Sequence, residues 1–213
     1  MIIFDFDNTL FNTPLLKDDI RHVFEKYEIR GQEFWKSFYK SYDIRSESAG
    51  YNIDQHLSLL KDLTKKQKGS IKQDIESVMW DRGQQYIYSD ALPILNKLKE
   101  LGVEMILLCR GDKEFKKFKF EVTGIADYFD QIFVEDNIVP VLNKIVRKTK
   151  KDQKDILFIN HKIEDLRAVK AKFPDIFCIF INRNQQVEPK DLSMPSVATL
   201  NELSWYLRTL QFK

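Results

Sequence analysis

Cysteine is scarce in this sequence: Cys109 and Cys178 are the two it has. Both lie in apolar runs that read as central strands, so a disulfide framework is not expected and a cytosolic setting is. No apolar run reaches the length of a membrane-spanning helix. The N-terminus lacks the basic start of a signal peptide, and acids interrupt its apolar stretch at once, so no secretory leader is expected. Excess charge of either sign is missing as well. The 34 Lys and Arg stand against 32 Asp and Glu, a net of +2, which gives no global attraction to nucleic acid or to a membrane surface. There is no internal repeat and no low-complexity linker. The basic runs at 61–72 and 144–154 read as solvated helix faces. The stretch EFKKFKFE interleaves Phe with Lys, yet the helical spacing of Phe115 and Phe118 points to a buried face rather than to base stacking.

What is present suffices for one core domain with a smaller appendage: 213 residues, 43% hydrophobic and 31% charged. MIIFDF is short, apolar and reads as a buried strand. Further strands are expected at 103–109, 131–134, 155–160 and 176–182. Helical patterns lie between them: SDALPILNKLKELG, DKEFKKFKFEVTG, VPVLNKIVRKTK, IEDLRAVKAKFP and TLNELSWYLRTL, the last opening on the capping-box pair Thr199 and Glu202. Strands alternating with helices predict a doubly wound, Rossmann-like α/β fold with a parallel sheet covered on both faces. Residues 13–88 differ. They hold four amphipathic helical patterns and no convincing strand, which predicts a helical domain inserted after the first strand. The core is then expected from residues 1–12 and 89–213.

In an open parallel sheet, ligands bind beyond the carboxyl ends of the strands. Asp5 and Asp7 fall there, two residues apart, with Thr9 behind them. Two such carboxylates repel each other unless positive charge lies between them, and a divalent cation is one solution. A carboxylate so placed can attack phosphorus, and a second can protonate the leaving oxygen and later deprotonate water. The bland alternative is that the acids end a strand or cap a helix.

The stretch Asp5-Phe6-Asp7-Asn8-Thr9-Leu10 at the end of an apolar strand, followed by a helical insert and further βα units, resembles the haloacid dehalogenase-like (HAD) hydrolase superfamily, with a cap of the C1 type. The resemblance covers nearly the whole chain. It implies Asp5 as nucleophile, Asp7 as general acid and base, and Mg²⁺ held by the Asp5 carboxylate and the Asp7 backbone carbonyl. It also implies a small phosphate ester as substrate, because dehalogenases of this group lack the acid found here at position 7.

Three later elements depart from the superfamily's pattern. Cys109 stands where a Ser or Thr would bind the phosphate; it reads either as a weak phosphate contact or as a small core residue. Arg110 follows, placed to reach a phosphate or to sit in solvent. Ile138 falls where a Lys is expected, and Lys144, the nearest, reads as pointing to solvent. Asn160 and His161 replace the usual Gly-Asp, while Asp165 keeps the second acid with Glu164 beside it. His161 has three readings: a changed metal preference, a lost metal site, or a polar loop residue. The expected site is therefore Asp5 and Asp7 for catalysis, Thr9, Cys109 and Arg110 for substrate, and Asp5, Asp7, Asp165 and His161 for metal. The rival expectation is a degenerate member that serves as a binding or regulatory module.

Overall fold

The structure is a computed structural model that describes residues 1–42, 50–183, 194–203 and 206. Among these residues six parallel strands run β1 (Ile2–Phe4), β2 (Met105–Cys109), β3 (Gln131–Val134), β4 (Leu157–Asn160), β5 (Phe177–Ile181) and β6 (Ser196–Val197). Their order in the sheet is β3-β2-β1-β4-β5-β6. The chain builds outward from β1 on one side, then crosses to build on the other, so the order reverses at β1. Phe4 pairs with Leu107 of β2 and with Ile159 of β4, which places Asp5 beside the ends of both neighbours.

Among the described residues eight α-helices accompany the sheet. Helices α1 (Thr13–Glu25), α2 (Gly31–Lys40), α3 (Ile53–Leu59) and α4 (Lys65–Arg82) form the segment between β1 and α5 (Ala91–Glu100). Helices α6 (Lys113–Thr123), α7 (Ile138–Lys148) and α8 (Ile163–Lys172) follow β2, β3 and β4. Alternation along β1 divides the core. Ile2 and Phe4 face a large apolar cluster that continues into α1–α4 through Phe24, Phe34 and Ile75. Ile3 faces a second cluster with Ile106, Phe158, Leu142 and Leu166, under α7 and α8. Burial on both faces is why these strands read as continuous apolar runs. No helix among the described residues is long and apolar enough to cross a membrane.

Two expectations change. The short strand β6 carries too little apolar sequence to be foreseen. In α6 the buried face is not that of Phe115 and Phe118, which are only partly buried; it holds Lys116, Lys119, Phe120, Val122 and Thr123. Phe115 and Phe118 flank this face, Phe118 packing edge-on against Trp80. The helix expected over TLNELSWYLRTL begins as a 3-10 turn at Leu200–Glu202 with its Thr199–Glu202 capping box formed, and most of the remainder lies outside the described residues.

Candidate active site

The chain leaves β1 and turns at once. The Phe6 carbonyl accepts from the backbone N–H groups of Thr9, Leu10 and Phe11, and Asn8 takes a left-handed backbone (φ 53°) that asparagine tolerates. This tight turn brings Thr9 back over Asp5, whose carboxylate Oδ2 accepts from Thr9 Oγ1 at 2.9 Å. Thr9 is fully buried and does not line the cavity below, and its hydroxyl is spent on the Asp5 carboxylate. A second group holds the turn from outside. The Arg183 guanidinium donates to the Thr9 carbonyl at 2.7 Å and pairs with Asp90 at 2.9 Å, stacked 3.7 Å from the Tyr88 ring.

Asp7 is claimed by α6. Lys116 and Lys119, each 4% exposed, both pair with its carboxylate, Lys119 at 2.8 Å, and Thr13 donates to it at 3.0 Å. The ammoniums also lie over aromatic faces, Lys119 4.4 Å from the Phe11 ring centre and Lys116 5.3 Å from that of Phe6. Gly111 makes room for this. Its φ of +129° disfavours other residues, and a β-carbon there would come within 2.8 Å of the Lys116 side chain. Burial alone would raise the Asp7 carboxyl, but the two ammoniums outweigh it and hold the group far below the usual carboxylate range. Burial likewise lowers both lysines while Asp7 raises them. Two cations share one acid, so Lys116 ends raised and Lys119 ends lowered, to about 8.

The end of β4 supplies His161, whose Nδ1 lies 2.6 Å from Asp5 Oδ2. Both contacts to Asp5 thus fall on one oxygen, Oδ2. From α8, Asp165 pairs with Arg110 at 2.5 Å; burial nevertheless leaves its carboxyl raised, Arg110 offsetting only part of the effect. The Cys109 thiol is 1% exposed, approaches the Phe133 carbonyl at 3.8 Å, and is pushed up by burial to about 12. It stays neutral, and its contact is with the neighbouring strand. Lys144 is exposed on α7.

These groups surround one cavity of about 220 Å³. Asp5, Asp7, Arg110, Lys119, His161 and Asp165 line its floor, and Lys17, Phe38, Tyr42 and Tyr51 reach it from the helical insert. Lys17 lies 5.5 Å from the Phe38 ring centre and 5.9 Å from that of Tyr42.

An aspartate held at the sheet's reversal point, in a cation-rich cavity roofed by an inserted helical segment, has a match among known sequences. The sequence pattern of haloacid dehalogenase-like hydrolases fits residues 1–171. The chain belongs to that family.

Solved HAD-fold structures agree over almost the full length. A haloacid dehalogenase-like hydrolase of Burkholderia xenovorans LB400 superposes with a TM-score of 0.73 at 17% identity, covering 100% of this chain and 98% of that one. A HAD phosphatase of Thermococcus onnurineus gives 0.65 at 19% identity, covering 97% and 96%. The Bacillus subtilis HAD protein YfnB, described as bound to magnesium, gives 0.64 at 14% identity, covering 99% and 98%. At these identities the likeness is one of fold. No curated protein matches the sequence.

The residues expected around Mg²⁺ meet in this HAD cavity, but their side chains are paired with nitrogen groups and do not form a donor set for it. Asp5 faces His161, Asp165 faces Arg110, and both carboxylate oxygens of Asp7 face lysines. Among the described residues no group of three or more His, Cys, Asp or Glu side chains is placed to hold a metal ion. Sequence reasoning missed Lys116, Lys119 and Arg183. The lysines left a usable sign: spacing of 116, 119, 120 and 123 is itself a helical face, one residue away from the Phe115–Phe118 reading. Arg183 left none, lying 174 residues from its partner Thr9.

Proposed function

We propose that this HAD-family protein is a phosphohydrolase of small phosphorylated molecules, working through an aspartyl-phosphate on Asp5. One observation carries the reading: Asp5 is fixed through Oδ2 by Thr9 and His161 at the floor of a cavity supplied with Arg110, Lys116 and Lys119. A dianionic phosphoryl group is the ligand such charge suits, and attack on phosphorus is the chemistry a fixed carboxylate offers it.

In this reading Asp5 Oδ1 forms a bond to phosphorus as the bond to the leaving oxygen breaks. The leaving oxygen takes a proton from the Asp7–Lys119 pair, which titrates as a unit. Water then attacks the acyl phosphate, returns a proton to that pair, and releases phosphate and the Asp5 carboxylate. Thr9 and His161 keep Oδ2 in place throughout. Arg110 and Lys116 balance charge on the phosphoryl oxygens, and residues 13–88 act as the cap, presenting Lys17, Phe38 and Tyr42 to the rest of the substrate. A cytosolic location and a soluble metabolite-sized substrate go with this reading.

The test is phosphate release from a panel of phosphomonoesters by the purified protein and by Asp5→Asn. Release by the parent and none by the variant is the expected result. The double ion pair on Asp7 favours a second reading, a binding module that holds a phosphorylated molecule without turnover. Binding of the esters with no release by the parent decides for it.

A further inference from the structure

The cavity's charge and contacts oppose a divalent cation in three independent ways. Five lysine and arginine side chains line it against four aspartates. A dication is drawn into a site by excess negative charge, and here it meets the reverse. Each acid at the strand ends already has a nitrogen partner: the His161 ring on Asp5 at 2.6 Å, Arg110 on Asp165 at 2.5 Å, and Lys116 with Lys119 on the Asp7 carboxylate. To bind between Asp5 and Asp165, a metal would have to displace both an imidazole and a guanidinium. Finally, magnesium takes oxygen ligands, and the position after β4 offers nitrogen.

The same features suit an anion. Lys116 and Lys119 share a single carboxylate, so the pair retains positive charge. Arg110 lines the cavity, and its Nε is buried without a hydrogen-bond partner. His161 brings a further ring beside the nucleophile. We propose that this site holds the phosphoryl group of its substrate without a divalent metal, using Lys116, Lys119 and Arg110 as its positive charge with the His161 ring beside them. The inference rests on the phosphohydrolase reading only in taking phosphate as the ligand.

Calorimetric titration of the full chain with inorganic phosphate tests it, once in EDTA and once in millimolar MgCl₂. Binding in EDTA with an affinity within about twofold of that in Mg²⁺ is expected. Lys119→Met should weaken that binding by about tenfold and Lys119→Arg by much less, as for loss of one charge-assisted contact. If Lys119→Met fails to fold, Arg110→Met is read in the same way. Phosphate binding that requires Mg²⁺, no phosphate binding in either buffer, or binding indifferent to both substitutions overturns the proposal. Ester hydrolysis, measured alongside, separates the two ideas. Metal-free phosphate binding without hydrolysis in either buffer sinks the enzyme reading and leaves the cradle standing. Hydrolysis that EDTA abolishes does the opposite.

Discussion

Two of the protein's buried polar clusters are built differently. Inside the helical insert, His56 is fully buried. Ser37 Oγ lies 2.8 Å from its Nε2 and Tyr51 Oη 2.9 Å from its Nδ1, and the ring stacks on Phe24 at 4.5 Å. Every group there is neutral, and every contact is filled. At the strand ends most contacts are between charges, Asp7 and Asp165 against Lys116, Lys119 and Arg110, with Asp5 against the His161 ring. A neutral, satisfied cluster fixes how helices meet. A crowd of desolvated charges is expensive to assemble and is kept where charge has work to do on a ligand. The difference separates the histidine that holds the fold from the one that belongs to the site.

The largest effect should come from the charged region. Asp5→Asn should reduce phosphate release by roughly four orders of magnitude while leaving thermal unfolding little changed, read by turnover and calorimetry on the same preparation. The neutral region should respond to acid instead. Burial holds the His56 imidazole down, from 6.5 to about 4. Between those values the unfolded chain binds a proton that the folded chain refuses. Stability from this group is therefore intact above about pH 6.5 and is lost as pH falls toward 4, by on the order of 3 kcal/mol. Urea unfolding at neutral and acidic pH should show a shallower acid decline in His56→Gln than in the parent; equal declines would remove His56 as the cause.

A third change tests the seam between the regions. A β-carbon on Gly83, where α4 ends, would overlap the Val122 carbonyl of α6, the helix that carries the site lysines. Gly83→Ala should cost about 1–3 kcal/mol in urea unfolding and also lower turnover, since α6 must shift. A loss of stability with unaltered turnover would show that the two regions are mechanically independent. The smallest effect belongs to charges in water. Lys72 pairs with Asp54 at 2.8 Å on the surface of the insert, and Lys72→Ala should change stability by no more than about 0.5 kcal/mol.

The fold was readable because its signals are local. Apolar strand runs, helix periods and the Thr199–Glu202 cap each lie within a dozen residues. The β6 strand escaped because two residues cannot make a pattern. In the site, Asp5, Asp7 and Thr9 share one short turn and could be named together. Lys116 and Lys119 reach Asp7 across more than a hundred residues, through a helix whose flanking phenylalanines masked its inner face. The partner of His161 was equally out of view. The residue itself stood out as a departure from the HAD pattern, but only packing could show that its ring meets Asp5. Arg110 was flagged as a phosphate contact, and its pairing with Asp165 depends on how α8 lies against the end of β2.

The parallel register has a consequence for how such a site changes over time. Because Phe4 is level with Leu107 and Ile159, the positions just beyond β1, β2 and β4 converge on the same spot whatever residues occupy them. They behave as addresses on the scaffold. A mutation at one of them rewrites the chemistry in a single step, with the strands beneath untouched. An imidazole stands at position 161, just past β4, where the family pattern has a carboxylate, and the strand beneath it keeps its place in the sheet. A backbone of this kind lets a lineage explore new reactions by spelling changes alone.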